Sequence, residues 1–192
     1  MGEARELLNL HAVIDSSMVN GPGERLVVFF QGCMRDCRGC FNPGTHPVEE
    51  RIRSTVEEIF LKHLPSTAEG ITVSGGEPFL QHGGLYNLLK AARDSYGIST
   101  VVYTGFTFEE VSSNPLLARC LEHTDVLIDG GYEEDKKETT LLARGSTNQR
   151  FHFLTGRYAM RDFHMPGTAE VVIRKDGTVT GTGFSRMGFP GK

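Results

Sequence analysis

The chain has 192 residues, enough for one domain with a small appendage, and its 39% hydrophobic and 23% charged residues are those of a water-soluble globular protein. A formal net charge of -4 leaves no basic footprint for binding nucleic-acid phosphates, and no apolar run approaches the length of a membrane span. The first residues carry Glu3 and Glu6 without a cleavable signal pattern, and position 6 lacks the Ser or Thr of a myristoylation site, so the expected compartment is the reducing cytoplasm.

In chain order, His11–Ile14 reads as a short strand, and Asn20-Gly21-Pro22-Gly23 breaks regular structure. Leu26–Phe30 is a continuous apolar run of strand length, expected to be buried on both faces. The loop Gly32–Phe41 follows at once and holds three of the four cysteines, Cys33, Cys37 and Cys40, spaced C-x3-C-x2-C. An odd cluster in one short loop points to a metal or an iron–sulfur cluster rather than a disulfide framework. Spacing alone leaves three readings open: a [4Fe–4S] cluster with one iron free for an outside ligand, a Cys3His zinc site completed by His46, or plain buried thiols.

Val48–Leu64 is expected to be a helix, from apolar residues at Val48, Ile52, Val56, Ile59 and Phe60, ended by Pro65. Ile71–Val73 is a second buried strand running into Ser74-Gly75-Gly76-Glu77-Pro78. Paired glycines let backbone approach a ligand closely, and a carboxylate beside them can receive an ammonium group. No phosphate loop is completed, because no Gly-Lys-Ser/Thr follows. A helix over 84–94, a strand over Thr100–Tyr103, a helical stretch over 108–122 broken before Pro115 and a strand over Asp125–Ile128 come next. Glu133–Glu138 reads as a solvated charged loop, and Phe151–Leu154 as a short strand. About residues 168–184 read as an accessory β-hairpin on an Asp176-Gly177 turn, packed on an edge of the sheet. The strand–loop–helix rhythm predicts an α/β fold with a mostly parallel sheet, in a single domain with its core over about 11–155. Cys120, alone on a predicted helix, reads as a small buried hydrophobe.

Taken together, the cysteine loop after one strand and Gly75-Gly76-Glu77-Pro78 after the next resemble the radical S-adenosylmethionine (SAM) superfamily. Within it, the segments Val19–Arg25, Phe29–Pro47, Val73–Phe79, Tyr103–Phe106, Leu127–Tyr132 and Ala143–Arg150 resemble, in this order, the activating enzymes of anaerobic (class III) ribonucleotide reductase. The resemblance spans about three quarters of the chain. It implies a partial (β/α) barrel, a [4Fe–4S] cluster, SAM as cofactor, and reductive cleavage of SAM to a radical that converts a partner's glycine to a glycyl radical. The implied partners are a glycyl-radical enzyme, the reductase large subunit foremost, and an electron donor such as flavodoxin or ferredoxin. By the same resemblance, Cys33, Cys37 and Cys40 ligate the cluster. Ser74, Gly75, Gly76 and Glu77 hold the methionyl end of SAM, and Thr104 and Gly105 contact it. Asp129 lies near the SAM and glycyl site, and Arg144, Ser146 and Asn148 line the site or dock the partner loop. The pattern departs in one place: Gly39 stands where many members carry an aromatic residue beside adenine, and Phe41 is expected to take that part. A radical SAM enzyme acting on a peptide or small metabolite is the alternative, and a non-enzymatic zinc or interaction module is the alternative of another class.

Overall fold

A computed structural model describes residues 6–165, 167, 169–173, 177 and 179–184. A seven-stranded sheet has the order β3-β1-β2-β4-β5-β6-β7, with β1 Leu8–Ser17, β2 Arg25–Phe30, β3 Ile52–Ser54, β4 Gly70–Gly75, β5 Ser99–Tyr103, β6 Val126–Asp129 and β7 Arg150–Phe153. The central strands β2, β4, β5 and β6 are parallel to one another; β1, β3 and β7 are antiparallel to their neighbours. The parallel centre was legible from continuous apolar runs. The long β1 was legible only over His11–Ile14, because polar Asn9 precedes that run and exposed Asp15 and Ser16 end it.

The helices α1 Val56–His63, α2 His82–Asp94, α3 Phe108–Ser113 and α4 Pro115–Leu121 supply the larger core. Ile59 and Phe60 of α1, Leu85, Leu88, Leu89 and Ala92 of α2, and Cys120 of α4 pack on Leu26, Val28, Phe30, Ile71 and Val73. The opposite face of β5 and β6 buries Val101, Val126 and Ile128 against Ala143, Phe163 and Met165. Both faces of the sheet centre are thus covered, which is why those strands carry no polar alternation.

The helix expected over 48–64 is corrected. Val48 and Ile52 are exposed, at 77% and 48%, and Ile52–Ser54 pairs with β1 instead. The helix begins only after Thr55, whose hydroxyl accepts from Glu58 N while the Glu58 carboxylate accepts from Thr55 N. This reciprocal cap defines an N-terminus more strongly than the apolar spacing upstream of it. The break before Pro115 falls where expected, with Asn114 Oδ1 capping α4 by accepting from Leu116 N.

At the far C-terminus, β8 Ala169–Ile173 and β9 Val179–Gly183 pair antiparallel as a separate two-stranded ribbon. Of the expected Asp176-Gly177 turn, Asp176 lies outside the described residues, and Gly177 has φ 84°. No helix among the described residues is long and apolar enough to cross a membrane.

The N-terminal ends of the parallel strands are riveted by Arg25, a side chain with no exposed surface. Its guanidinium donates to Thr72 Oγ1 (2.6 Å), Ile71 O (2.7 Å), Pro22 O (2.9 Å) and Ser99 Oγ (3.0 Å), joining β2, β4 and β5. Burial pushes its pKa down, and the neutral oxygens around it provide the compensation that a buried charge requires.

Candidate active site

The loops that leave the C-terminal ends of β2, β4, β5 and β6 meet around one cavity of about 550 Å³. A crevice at this end of parallel strands is where α/β sheets place ligands, and the volume is in the range of cofactor sites. Cys33, Cys37 and Cys40 line it, with Phe41, Ser74, Gly75, Gly76, Glu77, Thr104 and Gly105.

The cysteine loop follows from local backbone needs. Cys40 N donates to Cys37 O (3.1 Å), closing a turn around Gly39 at φ 71°, a left-handed conformation that favours glycine. An aromatic residue at position 39 would be strained there, which explains the departure at Gly39. Asp36, at φ 45°, is of a type that tolerates the same region. Asn42 N donates to Cys40 Sγ (3.3 Å), the kind of sulfur hydrogen bond that tunes iron–sulfur centres. All three thiols are half-buried, and burial raises the pKa of Cys33.

Among the described residues, no three His, Cys, Asp or Glu side chains converge to metal-ligand geometry. The cysteines share a cavity, and His46 on its wall turns Nδ1 toward Asp36 (3.7 Å). By number and softness the donor set fits an iron–sulfur cluster: three thiols on one loop, with a backbone N–H directed at one sulfur. Cys120 is not a fourth donor; it is buried on α4 and its thiol donates to His82 O (3.4 Å).

Gly75 and Gly76 are there for protein backbone. A methyl group on Gly76 would lie 2.2 Å from Gly32 O, and one on Gly75 2.5 Å from Phe30 N. The glycines let β4 run hard against the root of the cysteine loop, where Glu77 N donates to Gly32 O (2.8 Å). Glu77 is 2% exposed. Its carboxylate accepts from Thr104 Oγ1 (2.8 Å), Gly105 N (2.8 Å) and Phe79 N (3.1 Å), so it ties the end of β4 to the end of β5. Burial raises its pKa against the pull of those donors. Arg35, from inside the cysteine loop, places Nε 3.9 Å from Glu77 and its guanidinium 4.6 Å over the Phe106 ring. A methyl group on Gly105 would sit 2.2 Å from Arg35 Cδ, so this glycine makes room for that side chain.

Phe41 lies on the cavity wall in a tilted pair with Tyr132, ring centroids 4.9 Å apart. Four expected residues stand behind the wall. Asp129, fully buried, accepts from Phe108 N (2.6 Å) and Arg150 Nε (3.1 Å), with His152 Nε2 3.2 Å away. Burial opposes its ionisation, but these donors more than reverse that and lower its pKa. Arg144 donates to Glu138 Oε2 (2.7 Å) and Gln149 O (2.8 Å). Ser146 Oγ accepts from Glu133 N (3.1 Å), and Asn148 donates to Gly131 O (2.8 Å). This segment braces Gly130 and Gly131, which do line the cavity. Glu138 corrects the solvated reading of its charged run: its side chain is 4% exposed and holds Arg144.

Sequence reading missed Asn20, Arg35, Tyr132 and Gln149 on the cavity wall, and the ribbon residues Gly181–Phe184 beside them. Arg35 sat in plain view between the cysteines, and Tyr132 and Gln149 inside quoted motifs. The hairpin itself was expected from the sequence, but nothing there signalled that it reaches the cavity.

These observations define a three-cysteine α/β protein, and over residues 19–152 the chain matches the family model described as 4Fe-4S single cluster domain. It is 31% identical over 156 residues to the anaerobic ribonucleoside-triphosphate reductase-activating protein of Escherichia coli (strain K12), spanning 77% of this chain and 99% of the relative. The counterpart from Pasteurella multocida is 33% identical over 150 residues, spanning 73% of this chain and 94% of the relative. The pyruvate formate-lyase-activating enzyme of Staphylococcus epidermidis is 32% identical over 168 residues, spanning 82% of this chain and 65% of the relative. The chain belongs to the family of anaerobic ribonucleoside-triphosphate reductase-activating proteins. An iron–sulfur cluster and SAM are the cofactors that go with this family.

Proposed function

We propose that this protein is a radical SAM activase that generates a glycyl radical on a partner enzyme, the anaerobic ribonucleotide reductase foremost. The observation that carries the reading is the convergence of four strand-end loops on one cavity that holds all three cysteines and Glu77. When bound, the cluster supplies one electron to the sulfonium of SAM, whose C–S bond breaks to methionine and a 5′-deoxyadenosyl radical.

The chain's own residues do the rest. Cys33, Cys37 and Cys40 would hold the cluster, and a three-thiolate set would leave it a position for SAM as an outside ligand. Glu77, Gly75, Gly76 and Ser74 form the floor beside the cysteine loop, with Thr104 and Gly105 completing it. Their fixed backbone favours one pose of the methionyl end over many. The Phe41–Tyr132 pair offers an aromatic wall for adenine. Asp129, Arg144, Ser146 and Asn148 act through the wall, by holding the loops after β6 in place. We read the sheet as a partial (β/α) barrel within one domain, open on one side to a macromolecular loop. A low-potential carrier such as flavodoxin or ferredoxin, in a reducing cytoplasm, is the fitting electron source.

The test is anaerobic reconstitution followed by assay of 5′-deoxyadenosine with and without a candidate reductase. A brown protein, SAM cleavage and a glycyl EPR doublet on the reductase are expected, and Cys37→Ala abolishes all three. A reconstituted protein that cleaves SAM but leaves no doublet on a competent reductase favours the peptide- or metabolite-modifying alternative. A colourless zinc protein returns the chain to the interaction-module class.

A further inference from the structure

The ribbon β8–β9 begins at Ala169, beyond the 19–152 stretch that the family model matches. The Escherichia coli relative is matched over 99% of its length by 77% of this chain, so nearly a quarter of the chain lies outside that alignment. Yet β9 reaches the active-site cavity. Gly181, Thr182 and Gly183 all line it, with Phe184 after them. A strand that turns a face to a cavity offers alternate residues, because successive residues point to opposite sides. Three in a row, two of them glycine, mean that the cavity is bordered by the edge and backbone of β9.

Among the described residues β9 pairs only with β8, so its other edge carries backbone N–H and C=O groups without strand partners. The ribbon is held in place beside the site. The Glu170 carboxylate accepts from Ser17 Oγ (2.6 Å) and Met18 N (2.8 Å), and Asn20 Nδ2 donates to Thr182 Oγ1 (2.8 Å). Phe184 lies 6.0 Å from the Tyr103 ring. Cross-strand pairing sets Val171 opposite Gly181 and Ile173 opposite Val179, on the same ribbon face as the two glycines. Val171, Ile173 and Val179 are 43%, 73% and 54% exposed, an apolar shelf that leads to the cavity rim.

We propose that the free edge of β9 is a docking strand for an extended, glycine-bearing segment of the partner protein, which joins the ribbon by strand addition as it enters the cavity. The inference rests on the activase reading and names how the partner is received. An edge strand recognises main chain, which a small metabolite lacks; the adjoining shelf selects apolar side chains at alternate positions. The glycines at 181 and 183 leave room for the incoming strand beside the cavity.

The test uses the reconstituted full chain and a fluorescently labelled synthetic peptide copying the glycine loop of the candidate reductase. Gly181→Val keeps strand propensity but fills the rim, and is expected to weaken peptide binding by about tenfold or more in anisotropy titrations. Glu170→Ala, which frees the ribbon from Ser17 and Met18, is expected to weaken it as well, and decides the matter if the valine variant does not fold. Hydrogen exchange on the wild type is expected to show new protection over 179–183 when peptide is added. Unchanged affinity in both variants, or no protection of β9, overturns the proposal. So does concentration-dependent dimerisation that Gly181→Val abolishes, since the edge would then serve a second copy of this chain. If the wild type forms a glycyl radical while the variants bind peptide normally, the docking strand alone is wrong. If the wild type activates no reductase, the activase reading fails and the proposal falls with it.

Discussion

Gly76→Ala tests what the paired glycines are for. The added methyl carbon would lie 2.2 Å from Gly32 O, 2.8 Å from Gly32 C and 3.1 Å from Thr45 O, all backbone atoms. A relaxed carbon–oxygen contact is about 3.3 Å or more, so one strand end must retreat by about 1 Å. That retreat strains two backbone hydrogen bonds, Gly76 N to Phe30 O (2.9 Å) and Glu77 N to Gly32 O (2.8 Å). At about 1 kcal/mol per bond, with about 1–3 kcal/mol for the overpacked contact, the cost is about 3–5 kcal/mol. Set against a total stability of roughly 5–15 kcal/mol, this is a large fraction. Urea unfolding of the variant should show a much lower midpoint, and iron per chain after reconstitution should drop, because the displaced backbone is the root of the cysteine loop. Gly156→Ala is the control: its methyl meets nothing within 4 Å, and it should stay within about 0.5 kcal/mol of the parent. If Gly76→Ala keeps its unfolding midpoint and loses only SAM affinity, the glycine serves the ligand and the packing argument is wrong.

The remaining expectations follow from the same geometry. Gly39→Tyr, which restores the superfamily's aromatic residue, forces a side chain onto φ 71° at a cost of about 1–2 kcal/mol; iron should be lost faster to a chelator, and unchanged iron retention would contradict this. Arg25→Met leaves the Ile71, Pro22 and Ser99 oxygens buried without their donor, a loss of about 3 kcal/mol, which at about 2–4 °C per kcal/mol lowers the melting temperature by roughly 6–12 °C. A fall of less than about 2 °C would show that Arg25 is dispensable. For Glu138, burial opposes ionisation, but donors from Thr140 and Arg144 outweigh it and hold its carboxyl at about 2, against 4.5 unperturbed. A pKa depressed on folding stabilises the protein above the unperturbed value. That contribution should therefore be present at pH 5 and lost as the pH falls from about 4.5 toward about 2. Stability curves of the parent and Glu138→Gln should converge over this acid window, and parallel curves would argue against the Glu138–Arg144 pair.

Much of this molecule was readable from spacing. Apolar runs of strand length gave β2, β4, β5 and β6, because a strand covered on both faces needs no polar alternation. The cysteine loop and Gly75-Gly76-Glu77 fell at the ends of adjacent strands, and the structure brings them to one cavity. Misreadings arose where local and long-range signals compete. Val48 and Ile52 carried helical spacing, yet Ile52 joined β1 and the cap at Thr55 set the true start. Asp129, expected near the SAM and glycyl site, has Arg150, His152 and the N-terminus of α3 as its neighbours in space, company that its place at a strand end does not signal.

Residue types and their spacing set the chemistry on offer: three thiols on one loop, a glycine pair with a carboxylate, and strands to bear them. These are local facts, set by residue type and by spacing along the chain. Tertiary structure alone decided direction and company. It turned Glu77 to bind β4 to β5, set Arg35 against it, placed Arg144 and Asn148 behind the cavity wall, and brought β9 to the rim. Those choices depend on contacts between residues tens of positions apart, such as Asn20 with Thr182 and Glu77 with Thr104, and no local pattern encodes them.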